Sequence, residues 1–300
     1  RVGMMAACLT AVDPFLVFFS SLLLTETLYV TLLTAVWWGL MLMLRRPQRA
    51  VRIAWGVGIA AAVTVYTRES GLVLILAGTA FLILASRFHR RIVAGAVLIV
   101  LIVVLSLVPW AWRNARVVGG PVWLTTRAGI SLYDGVRPDA DGSSDLGAIK
   151  QMPAVRELSE TEWNRYFLRA SLDLLRKDPG RIVRLIPVKL ARTWNVVPNV
   201  AGYRSVSMML LSAVWTVPMF GLSLIGVVWC GLRKRNGART VFFLGFPALI
   251  ISLLHCVFVG SVRYRLGAMP MLSVLAAVAA LRLYDRFVSS GVTAREADLE

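Results

Sequence analysis

Apolar residues along this chain fall in long blocks instead of alternating with polar ones, and the blocks have the length of membrane helices. A helix needs about 20 predominantly apolar residues to cross a bilayer. Eight stretches approach that requirement: roughly 2–20, 26–44, 52–67, 70–86, 92–111, 207–230, 240–259 and 265–284. The third and fourth are short, and Thr67, Arg68, Glu69 and Ser70 separate them, which predicts a helical hairpin with its tip in the outer leaflet. The fold class read from this pattern is an all-α polytopic membrane protein with about eight transmembrane or membrane-embedded helices.

Residues 113–205 interrupt the blocks. The first half is rich in Gly, Pro and Asp, as in Gly119-Gly120-Pro121 and Asp139-Ala140-Asp141-Gly142, and predicts turns and irregular backbone. From Ser159 the period changes. Trp163, Phe167, Ala170 and Leu174 recur at helical spacing, Ser159 with Glu162 forms a candidate capping box, and Asp178-Pro179-Gly180 stops the helix. A second amphipathic segment sets Ile182, Leu185, Ile186 and Leu190 against Arg181, Arg184 and Arg192. The chain then divides into an N-terminal membrane bundle (1–112), an external loop domain with amphipathic helices (113–205), a C-terminal bundle of three spans (206–284) and a cytoplasmic tail (285–300).

Charge gives this arrangement a direction. Arg45, Arg46, Arg49 and Arg52 form one short basic loop, Arg87, Arg90 and Arg91 a second, and Arg233, Lys234, Arg235 and Arg239 a third. An alternating path of eight spans puts all three on one side, together with Arg282 and Arg286, and the positive-inside rule makes that side the cytoplasm. The large loop then faces the non-cytoplasmic side. It holds fifteen Lys and Arg against nine Asp and Glu, a net of +6, but its length exempts it from that rule. Trp110, Trp112 and Trp123 at its start and Trp194 and Tyr203 at its end suit an interfacial aromatic belt. The basic amphipathic segments either pack on the membrane surface or form a docking surface for a lipid phosphate.

Composition agrees with the membrane reading and narrows the partners. Of 300 residues, 58% are hydrophobic and 16% charged, with mean hydropathy +0.71, which excludes a soluble globular enzyme. The net charge is +17, and many of the basic residues cluster beside the apolar spans, where they orient helices and meet anionic headgroups. No nucleic-acid-binding motif is present, so nucleic acid is not an expected partner. Cys8, Cys230 and Cys256 sit in apolar stretches without metal-ligand spacing, and neither His89 nor His255 belongs to a cluster. No cofactor and no metal-ligand set follow from these residues, and a divalent-metal requirement stays open.

Four short stretches, in order, carry a family resemblance. They are Asp13-Pro14-Phe15 followed by Ser20-Ser21 and Thr25-Glu26-Thr27; Gly56 and Gly58 leading to Thr67-Arg68; Pro109-Trp110-Ala111-Trp112-Arg113-Asn114 followed by Gly119-Gly120; and Arg263-Tyr264-Arg265 with Pro270 beyond. The chain resembles the GT-C glycosyltransferases that use polyprenyl-phosphate sugars, in particular protein mannosyltransferases and lipid A aminoarabinose transferases. The resemblance implies a GT-C-like fold in the bacterial plasma membrane. It also implies a polyprenyl-phosphate sugar donor, membrane lipids as surroundings, and a protein, lipid or glycan acceptor. The family's catalytic acid lies in a first external loop that would precede Arg1, so further spans are expected upstream. The last motif continues Leu266-Gly267-Ala268, without the family's early proline.

Sugar transfer from such a donor releases a phosphate, which calls for cations to receive it and a carboxylate to activate the acceptor. Arginine suits the phosphate because its planar fork donates two parallel hydrogen bonds. The candidate phosphate-binding residues are Arg68, Arg113, Arg263, Tyr264 and Arg265. Arg68 either meets lipid phosphate or pairs with adjacent Glu69 at the interface. On an extended backbone, Arg263 and Arg265 would share one side at a spacing of two and grip one phosphate; otherwise they are interfacial anchors. Arg113 is a phosphate ligand or a headgroup contact. The candidate carboxylates are Glu26 and Asp13. Glu26 also suits a helix N-terminus, where the dipole favours an acid, and Asp13 before Pro14 is a functional acid or a helix break. Two other classes remain open, an O-antigen ligase or polymerase and a lipid-linked substrate transporter or flippase. The sequence shows no inverted repeat of the kind transporters carry.

Overall fold

The computed structural model describes residues 1–22, 24–120, 122–155, 157–231 and 236–297. Arg233, Lys234 and Arg235 of the third basic loop lie outside them. The described residues are helical, without strands. In chain order the helices are α1 (Val2–Ala11), α2 (Pro14–Ser21), α3 (Glu26–Arg45), α4 (Ala50–Thr67), α5 (Ser70–Ala85), α6 (Arg90–Val117), α7 (Ala128–Val136), α8 (Leu146–Lys150), α9 (Glu160–Lys177), α10 (Arg181–Thr193), α11 (Val206–Gly231), α12 (Asn236–Val257), α13 (Val262–Arg265) and α14 (Met269–Ala297). Among the described residues, six stretches are long and apolar enough to cross a membrane: Glu26–Arg45, Pro47–Thr67, Arg90–Val117, Val206–Gly231, Arg239–Val257 and Val262–Phe287.

Two of the eight expected spans differ from the others. The first is broken into α1 and α2, bent by 53°, and makes a seventh crossing only if the pair counts as one span. The cause is local. Pro14 has no N–H to donate and starts a new helix, while Asp13 caps it, accepting from the backbone N–H groups of Phe15 at 2.9 Å and Leu16 at 3.0 Å. The other is α5, whose 16 residues fall short of a bilayer's thickness. The expected cytoplasmic tail from residue 285 begins as a continuation of α14, which runs to Ala297.

The chain forms two compact units, each assembled from separated stretches. Unit 1 comprises Arg1–Leu24, Val196–Pro247 and Leu266–Glu300; unit 2 comprises Thr25–Asn195 and Ala248–Arg265. In unit 1, α14 packs against α1 and α11. Met219, Met269 and Ala276 form a buried cluster there, covered by Leu9, Leu16, Trp215 and Leu272.

In unit 2, α4 is the hub for α3, α5 and α6. Its buried face is made of small residues, including Ala50, Ala54, Gly58, Ala61 and Ala62, which let neighbouring helix backbones come close. A side chain at Gly58 would strike Ile102 of α6. The same unit holds the loop helices around a core of Ile130, Ile149, Val155 and Phe167. Helix α9 begins as its sequence predicts: Glu162 reaches back to the Ser159 N–H at 2.8 Å, and Asp178 ends the helix. Gly129 lets α7 lie directly on α9, since a Cβ there would collide with the Asn164 carbonyl.

Candidate functional site

Three stretches far apart in sequence meet in unit 2 around one carboxylate. Glu26 opens α3 and is 1% exposed, with its negative charge at the positive end of the helix. Its Oε1 accepts from Arg68 Nη2 at 3.0 Å and also from Arg263 Nε. Arg68 reaches it because α4 ends at Thr67 and Arg68 turns to extended backbone before α5 begins. Arg263 arrives on the short helix α13, 237 residues along the chain from Glu26. Two guanidinium groups thus face one carboxylate, an excess of one positive charge. Glu26 Oε2 is buried and has no hydrogen-bond partner among the described residues.

Aromatic rings wall this cluster. The Arg68 guanidinium lies 5.5 Å from the Tyr29 ring centroid and 5.8 Å from that of Tyr264, within cation–π range of both. Arg68 side-chain exposure is 16% and that of Arg263 is 38%, so the positive side of the cluster is the accessible one.

The segment from the end of α12 to α13 that brings in Arg263 is itself anchored. His255 stacks on Tyr264, with centroids 4.1 Å apart and planes 13° apart. Its Nδ1 is 2.7 Å from the Val259 carbonyl oxygen, which puts the proton on Nδ1. Lys189, fully buried on α10, donates from Nζ to the carbonyls of Val257 at 2.6 Å and Cys256 at 3.2 Å. These are helix-end carbonyls with no partner inside α12, and a cation suits that negative terminus. Gly260 is required beside them: a Cβ there would collide with the Lys189 carbonyl. Burial lowers the Lys189 amine to about 8.

The expected site residues therefore separate into those that meet and those that do not. Glu26, Arg68, Arg263 and Tyr264 come together. Arg265 does not share a side with Arg263, because residues 262–265 are helical and not extended; it is 1% exposed and donates to the Asn195 carbonyl. Arg68 pairs with Glu26 and not with its neighbour Glu69. Arg113 is exposed at the end of α6, donates to Asn114 Oδ1 at 3.1 Å and lies 5.2 Å from the Trp110 ring centroid. Asp13 belongs to unit 1, where it accepts from Trp215 Nε1 at 3.3 Å besides capping α2.

Sequence reasoning passed over Tyr29, His255 and Lys189. Lys189 had a signal. It falls three and four residues after Ile186 and Leu185, on the apolar stripe of α10, where a lysine needs a buried partner. Tyr29 stands one turn after Glu26 on the same helix face. Nothing in the local pattern marks His255, whose partners are set by the fold. Among the described residues, no group of three His, Cys, Asp or Glu side chains is placed to hold a metal ion. No protein-family model, curated protein or solved structure matches the chain.

Proposed function

We propose that this protein is a membrane glycosyltransferase that moves a sugar from a polyprenyl-phosphate donor to an acceptor at the non-cytoplasmic face of the membrane. One observation carries the reading: Thr25-Glu26-Thr27, Thr67-Arg68 and Arg263-Tyr264-Arg265, three of the stretches behind the family resemblance, converge on a single carboxylate. In this reading Glu26 holds the two arginines in place, and their excess positive charge receives the phosphate as it leaves. Each guanidinium spends one side on Glu26 and keeps further N–H groups for phosphate oxygens. Tyr29 and Tyr264 limit water around the ion cluster, which strengthens its electrostatics.

The test is transfer by the full-length protein in proteoliposomes, supplied with radiolabelled polyprenyl-phosphate mannose, glucose or aminoarabinose and membrane acceptors. Arg68→Ala and Arg263→Ala are each expected to lower transfer by about 10²-fold or more, the usual cost of losing one charge-stabilising donor. Arg113→Ala, outside the cluster, should stay within a few-fold of the parent. Unchanged rates in both Arg68→Ala and Arg263→Ala overturn the site.

One observation favours a second reading, lipid-linked substrate transport. Asp13 is a buried acid at a 53° break in an apolar helix pair, and interrupted helices with ionisable groups occur in transporters. Translocation of a fluorescent polyprenyl-phosphate lipid without any sugar transfer would favour it.

A further inference from the structure

Unit 1 holds a cavity of about 370 Å³ lined by Trp229, Arg282, Asp285 and Arg286. The packing of α11 and α14 accounts for it. Where the two helices touch, their facing residues are small. A Cβ on Gly226 would run into the Leu275 carbonyl, Ser223 Oγ donates to the Leu272 carbonyl at 3.0 Å, and Ala276 and Ala279 are fully buried. About one turn onward, Trp229 follows Gly226 and Arg282 follows Ala279 on the same faces. Trp229 and Arg282, with Asp285 and Arg286, line the cavity beyond this close approach.

Its chemistry is specific in kind. Arg282, Asp285 and Arg286 recur at i, i+3 and i+4, so α14 presents all three from one face. The Arg286 guanidinium lies 5.0 Å from the Trp229 ring centroid. Asp285 has Arg1 at 4.0 Å. Two guanidinium groups select a phosphate, and an indole at a helix end selects the apolar–polar boundary of a lipid. The volume falls within the range of small-molecule sites.

We infer that this cavity binds the headgroup of an anionic phospholipid, its phosphate between Arg282 and Arg286 and its glycerol against Trp229, so that the lipid joins the ends of α11 and α14. Basic pockets between membrane helices take such headgroups. The inference requires only that α11 and α14 cross the membrane, and it is read out without sugar transfer.

The experiment follows thermal unfolding of the full chain in neutral detergent with added phosphatidylglycerol, phosphatidylcholine or inorganic phosphate. Phosphatidylglycerol is expected to raise the midpoint by about 2–4 °C, and phosphatidylcholine not to raise it. Arg282→Gln/Arg286→Gln should lose most of that shift, while Arg45→Gln/Arg46→Gln, in another basic loop, should keep it. An equal shift from inorganic phosphate overturns the lipid assignment in favour of a free-anion site. Equal losses in the two double variants overturn it in favour of diffuse attraction. Should the Arg282→Gln/Arg286→Gln protein fail to fold, Trp229→Leu keeps both charges, and native mass spectrometry counts retained phosphatidylglycerol. A clear fall in occupancy is expected; unchanged occupancy overturns the site.

Discussion

A single side chain can belong to one element and secure another, and Lys189 does so. Its helix lies in the long segment between α6 and α11, yet its amine sits on the last carbonyls of α12, just before the segment that leads to Arg263. The cost of burying that charge has a sign that can be checked. The amine titrates near 8 in the folded protein against an ordinary 10.5, because burial disfavours its charged form. Below about 8 both folded and unfolded chains carry the proton, and the full burial cost is felt. Between about 8 and 10.5 the unfolded chain holds more protons, so folding stability from this group rises with pH. The thermal midpoint of the parent, measured relative to Lys189→Met, is therefore expected to increase across that window. A difference that stays flat or falls contradicts the burial account.

At the scale of elements, helix boundaries follow from local chemistry that is readable in the chain. Ser159 and Glu162 start α9, Asp178 ends it, and Asp13-Pro14 divides the first apolar block. Which helices touch is decided by small residues. Gly226 lies against the Leu275 backbone, so no rotamer can relieve a side chain placed there. Gly226→Val is expected to push α11 from α14 and cost about 1–3 kcal/mol, seen as a lowered thermal midpoint. Gly221→Ala, on the same helix but with open space around it, should leave the midpoint nearly unchanged. The backbone of 262–265 teaches the opposite lesson. Arg263 and Arg265 two apart look like a phosphate clamp on an extended chain, but a helical turn sends one to Glu26 and the other to Asn195.

For the whole molecule, the distribution of short basic loops yields an orientation that can be tested directly. In a background without Cys8, Cys230 and Cys256, Lys177→Cys on exposed α9 is expected to react with a membrane-impermeant maleimide in intact spheroplasts. Arg49→Cys, in the short loop before α4, should react only after permeabilisation. The reverse pattern would place the large loop in the cytoplasm and remove the basis for surface chemistry on a lipid-linked sugar.

The sequence by itself determined that the chain is helical and apolar enough for a membrane, where most helices begin and end, and which arginines and carboxylates stand at helix ends. Those properties depend on periodicity, capping and block length, all of which act over a few residues. Only the tertiary structure decided which of the charges meet. Glu26 found Arg68 and Arg263 instead of its own neighbours, Arg113 and Arg265 were drawn to other partners, and Lys189 was spent on a helix end. A buried charge takes the partner that packing brings within reach, and packing here brings Glu26 an arginine 237 positions away.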